Sequence, residues 1–209
     1  MIDENSRRAG DEVMTSGMSV IPDWDYDGVL PANDADNPVS AVRSPYTVSL
    51  FDLIVRLGNT PIRRRFLRGL LEFRGELHKA GLIRGFQWID GSFAENVEQR
   101  SGRPPNDIDL VTFFHIPDGY SGETLAHDFR SLFDPISLKQ AYAVDGYYVQ
   151  LNQTTSEEII YQSIYWYSLW SHTRDGKWKG YLQIDLADND DEQAILQLDQ
   201  LDEDEGGQE

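Results

Sequence analysis

Two short stretches near the middle of the chain decide the fold: Gly85-Phe-Gln-Trp-Ile-Asp-Gly-Ser92 and Asp107-Ile-Asp-Leu-Val-Thr-Phe-Phe114. Both are rich in β-branched and aromatic residues and are followed by glycine or proline, which is typical of strands. Side chains on a strand alternate between its faces, so Asp107 and Asp109 share one face and Ile108 and Leu110 the other. We therefore predict two strands, the second with a carboxylate face and a core face.

The clearest predicted helix runs from about residue 60 to residue 80. Thr60 can cap its start, Pro61 suits its first turn and Gly81 follows its end. Its apolar residues repeat at steps of three and four and form one stripe: Ile62, Phe66, Leu70, Phe73 and Leu77.

The opposite face of this helix is basic and carries Arg63, Arg64, Arg65, Arg68, Arg74 and Lys79. A solvated face is the commonest meaning of such a pattern. The alternative is a surface on which a phosphate-rich ligand or an acidic segment lies.

The rest of the chain completes the predicted domain plan. Further elements are helices over about 47–57, 123–132 and 155–171 and strands over 141–151 and 181–186. We expect a flexible tail over 1–20, one domain over 21–186 and an acidic tail over 187–209. Within the domain, an N-terminal arm and helices occupy 21–84 and the core occupies 85–186. Because helices alternate with three or four strands, the predicted class is α/β (α+β).

The helix over 155–171 begins with the capping-box pattern Thr155-Ser-Glu-Glu158. It carries an aromatic run of Tyr161, Tyr165, Trp166, Tyr167 and Trp170. At helical spacing such a run favours packing in the core or in an interface, with stacking on a nucleic-acid base as the alternative.

Composition excludes several classes of protein. The 209-residue chain has no cysteine, which excludes disulfides, cysteine-based zinc sites and thiol nucleophiles. It has no apolar run of about 18 residues, the length needed to span a membrane. The N-terminus also lacks the apolar segment of a secretory signal, so we expect a cytoplasmic protein with no membrane partner.

The net charge of −18 comes from the two ends of the chain. Residues 1–36 contain nine acids and two bases, and residues 185–209 contain eleven acids and no base. Solvated tails are the ordinary interpretation of such runs. A tail that occupies a basic groove on a partner, or mimics nucleic acid, is the alternative.

The carboxylates of Asp107 and Asp109 are the first candidates for chemistry. Two residues along a strand separate Cα atoms by roughly 6.5 Å, close enough for both side chains to share divalent ions. Such oxygens suit Mg²⁺ or Mn²⁺, which phosphates and water complete. Gly91 and Ser92 follow the preceding strand, where glycine permits close backbone approach and free N–H groups bind phosphate. Nucleotidyl transfer requires this combination of a phosphate cradle and a carboxylate pair.

In this pattern the chain resembles the DNA polymerase β-like nucleotidyltransferase superfamily. Gly91-Ser92 followed by Asp107-Ile108-Asp109-Leu110 is similar to its Gly-Ser turn and alternating aspartates. The residues around both motifs also resemble an uncharacterised bacterial branch, and 86–113 is the diagnostic part. Fourteen residues separate Ser92 from Asp107, at or slightly beyond the usual spacing. The resemblance implies a mixed sheet of three to five strands flanked by helices, metal ions on Asp107 and Asp109, and an NTP such as ATP as substrate.

The superfamily supplies a third carboxylate from a later strand. The resemblance points to Asp145, with Asp185 as the alternative, and the third acid is expected to help deprotonate the attacking hydroxyl and to bind metal. Asp145-Gly146 is also a good hairpin turn, and in that case the base would be missing. Lys177 and Lys179 are candidate contacts to the triphosphate, although lysines in such turns are commonly solvated.

The resulting expectation is a metal-dependent nucleotidyltransferase that moves an NMP from an NTP to a protein or RNA acceptor. By resemblance, the acceptor or partner is a protein encoded by a neighbouring gene, in a toxin–antitoxin or phage-defence pair, or a tRNA end. The neutral region 37–184 mildly favours a protein, because phosphate contacts need local positive charge. The alternative is a non-catalytic nucleotide- or partner-binding protein that docks through the acidic tail or the arginine-rich helix.

Overall fold

A computed structural model describes residues 21–187 and 189–206. The tail predicted over 1–20 lies outside these residues. The described part forms eight helices and five strands, with a 3-10 turn after the fifth helix. In chain order they are β1 (Tyr46–Thr47), α1 (Leu50–Leu57), α2 (Pro61–Lys79), β2 (Gly85–Asp90), α3 (Gly91–Ala94), α4 (Val97–Ser101), β3 (Ile108–Phe114), α5 (Gly122–Asp128), α6 (Pro135–Tyr142), β4 (Val144–Gln150), α7 (Ser156–Trp170), β5 (Leu182–Asp185) and α8 (Asp191–Gly206).

The five strands form one mixed sheet in the order β1-β5-β2-β3-β4. β2 is antiparallel to both β5 and β3, whereas β3 and β4 are parallel, as are β1 and β5. Parallel neighbours need a crossover connection, which α5 and α6 provide between β3 and β4. The predicted α+β class is therefore confirmed.

The two faces of the sheet are covered unequally. The main apolar core lies on one face, where α1, α2, α6 and α8 pack against strand residues such as Ile89, Leu110 and Val144. The other face carries a smaller, mostly aromatic cluster that α7 covers with Trp166 and Trp170. No helix in the described part of the chain is both long and apolar enough to cross a lipid bilayer.

The predicted helix over 60–80 is confirmed as α2. The hydroxyl of Thr60 accepts a hydrogen bond from the backbone N–H of Arg63 at 3.3 Å, and Pro61 begins the helix. The solvated interpretation of its basic face is wrong for Arg63, Arg64 and Arg74, which are buried, whereas Arg65 and Lys79 are exposed as that interpretation predicts. The Arg63 guanidinium donates to both carboxylate oxygens of Glu98 and to the carbonyls of residues 93 and 95.

The solvated interpretation of the acidic C-terminal segment is also wrong where the structure describes it. Asp191–Gly206 forms α8, which lies on the arginines of α2. Arg64 pairs with Asp202 and Glu205, Arg68 with Asp199 and Asp202, and Arg74 with Asp191. The alternative, in which an acidic segment lies on the basic face, is the arrangement observed. The packed part of the chain thus continues to Gly206.

The aromatic run of α7 is divided between two environments. Trp166 and Trp170 are buried against the sheet, as predicted for core residues. Tyr161, Tyr165 and Tyr167 are exposed on the outer side of the helix, so the core interpretation is wrong for them.

Candidate active site

Three aspartates lie side by side on three neighbouring strands. In the sheet register Asp90 of β2 faces Asp109 of β3, and Asp109 faces Asp145 of β4. Neighbouring strands are about 4.8 Å apart, so the three side chains leave the same face of the sheet in a row. This is the face that α7 covers, beyond the end of its aromatic cluster. Asp145 therefore lies in a strand, and the hairpin-turn interpretation is wrong.

Asp107 lies at the entrance to β3, two residues before Asp109. It is buried, and its charge acts on Asp109, as do those of Asp90 and Asp145. Burial first, and then these three negative charges, raise the pKa of Asp109 to about 7, while Lys179 acts in the opposite direction. Acidic groups are thus concentrated where a positive ligand would be stabilised.

Gly91 brings the backbone of the following turn against this cluster. Its φ is +70°, and a Cβ at this position would lie 1.7 Å from Oδ2 of Asp109. Glycine is required here both by the left-handed backbone and by the contact with the carboxylate. Ser92 is the next residue, in the short helix α3, and is partly exposed. The structure thus places the Gly-Ser turn beside the aspartate row.

Lys139 of α6 also belongs to the cluster, although the sequence did not predict it. Its Nζ is 2.6 Å from Oδ2 of Asp107 and 4.0 Å from Oδ2 of Asp145. The hydrogen bond and charge of Asp107 raise the pKa of Lys139. More than half of its side chain is exposed, so this ammonium group can leave the carboxylates without crossing the core.

Tyr147 lies two residues after Asp145 and shares its face of β4. Burial and the charges of Asp145 and Asp109 raise the pKa of Tyr147. Its ring packs on Trp166 of α7, with centroids 4.8 Å apart. The strand that carries Asp145 therefore contacts the helix that covers this face.

Lys179 is buried beside the row, but it is bound to protein carboxylates. Its Nζ donates to Oδ1 of Asp90 at 2.8 Å and to Oε1 of Glu95 at 2.9 Å. Burial raises the pKa of Asp90 to about 6, although Lys179 opposes this effect. Lys179 therefore secures the end of β2 in this structure, and the predicted contact with triphosphate stays a prediction.

Two other sequence candidates lie away from the row. Lys177 pairs with Asp27 of the N-terminal arm and lies 5.2 Å from the ring centroid of Tyr26. Asp185 faces Phe86 in the sheet register, four residues along β2 from Asp90. That spacing corresponds to roughly 13 Å, so of the two candidates for the third acid only Asp145 joins the cluster.

The profile of one protein family, described as a family of unknown function (DUF6932), matches residues 22–185. The chain belongs to this family. The region matched to DUF6932 contains every residue of the aspartate row, the Gly-Ser turn and Lys139, and it ends at the last residue of β5. No curated protein and no solved structure matches the chain.

The donor set can be compared with what a metal ion requires. Among the described residues of this DUF6932 member, no three acidic or histidine side chains converge closely enough to hold an ion by themselves. Mg²⁺ is commonly bound by one or two carboxylates, with substrate phosphates and water as its other ligands. Asp107, Asp109 and Asp145 are hard oxygen donors on one face, and the backbone of Gly91 leaves room beside Asp109. The residues fit such an ion.

The sequence carried unequal signals for the residues that were missed. Asp90 stands directly before Gly91 at the end of a predicted strand, and face alternation together with strand pairing would have identified it. Lys139 and Tyr147 had no such signal, because their place depends on how α6 and β4 pack against β3.

Proposed function

We propose that this chain is a metal-dependent nucleotidyltransferase that moves an NMP from an NTP to a hydroxyl of a protein or RNA acceptor. The observation that carries the proposal is the pairing of Asp109 with Asp145 on adjacent parallel strands, with Asp107 beside them and Gly91 against Asp109. Partly buried acids whose charges raise the pKa of Asp109 are the arrangement expected where a cation binds.

Asp107, Asp109 and Asp145 are the residues that would hold Mg²⁺ or Mn²⁺. An ion bound there supplies Lewis-acid stabilisation of the negative charge on the phosphoryl group. The backbone at Gly91 permits close approach of the phosphates, and the hydroxyl of Ser92 donates a hydrogen bond to them. Both lie at the end of β2, on the side of the aspartate row.

In the proposed reaction an acceptor oxygen forms a bond to the α-phosphorus while the bond to the β-phosphate oxygen breaks. Pyrophosphate leaves, and the acceptor's proton passes to a carboxylate. Asp145 is the best-placed base, because it lies on the edge strand β4, where its side chain is partly exposed. Lys139, which is within reach of the same carboxylates, can move to the charged phosphates.

A protein acceptor is favoured over RNA. Arg64, Arg68 and Arg74 of α2 are paired with α8 and are therefore not available to a phosphate backbone. Nucleic-acid binding depends on such free positive charge. A partner encoded by a neighbouring gene, in a toxin–antitoxin or phage-defence pair, stays a prediction.

The test is transfer of label from each NTP, labelled at its α-phosphate, in the presence of Mn²⁺ or Mg²⁺ and a cell extract. We expect a labelled protein band with the wild type and at least a thousandfold loss with Asp109→Asn or Asp145→Asn, since each removes a metal ligand or the base. Asp185→Asn is the matched control and should transfer normally.

Two results would contradict the proposal. Equal labelling by wild type and Asp109→Asn would remove the aspartate row from the chemistry. Metal-dependent NTP binding without transfer to any component of the extract would favour the non-catalytic binding protein instead.

A further inference from the structure

The outer face of α7 is apolar and exposed. Ile160, Tyr161 and Ile164 each have at least 60% of their surface accessible, and Tyr165 and Leu169 are about half exposed. Ile160 and Ile164 are four residues apart, and so are Tyr161, Tyr165 and Leu169 in turn, so the five side chains form one continuous stripe. Soluble monomers rarely expose a contiguous apolar patch of this kind, and such patches mark interaction sites.

The stripe contains no charge, although the chain as a whole is highly charged. Residues 159–173 include no Asp, Glu, Lys or Arg. The charges come at its two ends and differ in sign, with Glu157 and Glu158 at the start of α7 and Arg174 just past its end. Arg174 has no ion-pair partner among the described residues.

We propose that this stripe is the interface of a homodimer in which α7 packs antiparallel against α7 of a second copy. A two-fold axis close to Ile164 and Tyr165 places the acidic start of each helix against the basic end of the other. A symmetric pair of this kind is self-complementary, because each apolar residue meets the same stripe and each terminal charge meets its opposite.

The surroundings of the stripe are compatible with the binding of a second copy of the chain. A groove of about 470 Å³ beside α7 is lined by Tyr161, Ile164, Tyr165, Leu169, His172 and Arg174, and so can receive side chains of the second copy. The strongly acidic α8 packs on the opposite face of the sheet, so its charge lies away from the contact. A lipid headgroup or a nucleic acid would require basic residues within the stripe, which has none.

This inference does not depend on the proposed function. The inner side of the same helix packs on Tyr147, two residues after Asp145, so the interface would lie on the same side of the sheet as the candidate site.

The test is the mass of the full chain by analytical ultracentrifugation over a concentration series. We expect twice the monomer mass of 23.9 kDa for the wild type. Ile164→Glu should weaken the dimer at least a hundredfold and give the monomer mass, because it places a carboxylate at the centre of the stripe. Ile136→Glu, at an equally exposed isoleucine of α6, is the control and should remain dimeric. Unchanged circular dichroism shows that each variant is folded.

Exchanging the charges at the two ends of α7 distinguishes the antiparallel helix pair from other modes of dimerisation. Glu157→Arg alone should weaken the dimer roughly tenfold, since it places like charges together at both ends. Adding Arg174→Glu to it should restore wild-type dimerisation. A monomeric wild type, a dimeric Ile164→Glu, or a double variant no tighter than the single one would each overturn the proposal.

Discussion

Two regions of the molecule are dense clusters of charge: the contact between α2 and α8, and the row of aspartates on the sheet. The first is a balanced cluster, in which positive and negative charges are paired, and the second is an unbalanced cluster, in which negative charges predominate. In the first, Arg64, Arg68 and Arg74 each pair with carboxylates of α8. In the second, the charges of three other acids act on Asp109, which has no salt-bridge partner among the described residues. Removing one partner of a buried charge pair is strongly destabilising, whereas a cluster of like charges is itself unfavourable while no cation balances it.

The largest effect on stability is expected from removing Arg74, which lies at the buried end of the balanced cluster. Arg74 is fully buried and bonds to Asp191, to Gln87 and to the carbonyls of residues 185 and 187. Arg74→Ala leaves these acceptors unpaired and should lower the free energy of unfolding by about 3–5 kcal/mol. Urea denaturation followed by tryptophan fluorescence measures the change.

The matched control for Arg74→Ala is Arg65→Ala on the exposed side of the same helix. It should change the free energy of unfolding by less than about 0.5 kcal/mol. Equal losses for the two variants would mean that the effect comes from removing any arginine of α2 and not from the buried contacts of Arg74.

Removing a charge from the unbalanced cluster should raise the free energy of unfolding instead of lowering it. The pKa of Asp109 is raised from 3.8 to about 7, so the folded protein holds this proton more tightly than the unfolded chain does. Its contribution to stability is present at low pH and is lost as the pH rises through about 7. Asp109→Asn should therefore raise the free energy of unfolding by about 1–3 kcal/mol above that pH in metal-free buffer.

The stabilising effect of Asp109→Asn should depend on pH and on added metal. Its advantage over the wild type should shrink as the pH falls below the pKa of Asp109, and Mn²⁺ should stabilise only the wild type. Thermal unfolding of both proteins, with Asp185→Asn as control, measures this. A wild type that is more stable than Asp109→Asn without metal would show that the aspartate row is not an unfavourable concentration of charge.

A smaller effect is expected from Lys139, the cation that contacts Asp107 and Asp145. A bound metal ion must compete with this ammonium group. Lys139→Met should therefore tighten Mn²⁺ binding about tenfold, as measured by calorimetry. Lys79→Met removes an exposed lysine from α2 and should leave the affinity unchanged; weaker binding to Lys139→Met would contradict the competition.

The smallest effect is expected at the exposed end of the balanced cluster. The hydrogen bond from Arg68 lowers the pKa of Asp202, with Arg64 acting in the same direction. Its stabilising contribution is therefore present above the ordinary carboxyl pKa and is lost as the pH falls through the lower folded value. Asp202→Asn should cost less than about 1 kcal/mol at neutral pH, and less still in high salt.

Asp204→Asn on the same helix is the control for Asp202→Asn, because Asp204 contacts Gln200 and no arginine. The two variants should differ in urea denaturation at low salt and converge at high salt. A difference that persists at high salt would point to packing rather than to charge.

Local sequence signals predicted much of the sheet and its main helix. The cap at Thr60 and the apolar stripe predicted α2, and face alternation predicted the strand that carries Asp109. Predicted ends were less accurate where tertiary pairing intervenes. The helix predicted from residue 47 begins at Leu50, because Tyr46 and Thr47 pair with β5 and Ser49 is the cap.

Other features could not be read from local patterns. Helix α6 was not predicted, because it has only eight residues and ends at Ala143 in the left-handed conformation, with no glycine to indicate its end. The lysine that reaches the aspartates lies on that helix. Long-range pairing also decided the roles of α8 and the arginines, since each segment alone has the composition of a solvated surface.

The position of α8 bears on how fragments of this protein behave. The region matched to the family ends at residue 185, whereas the carboxylates that cover the arginines of α2 begin at Asp191. A protein truncated at the family boundary would present a row of uncovered guanidinium groups, and such a surface binds polyanions of any sequence. RNA retained by that fragment would thus be an artefact of its design, which the full-length chain would not reproduce.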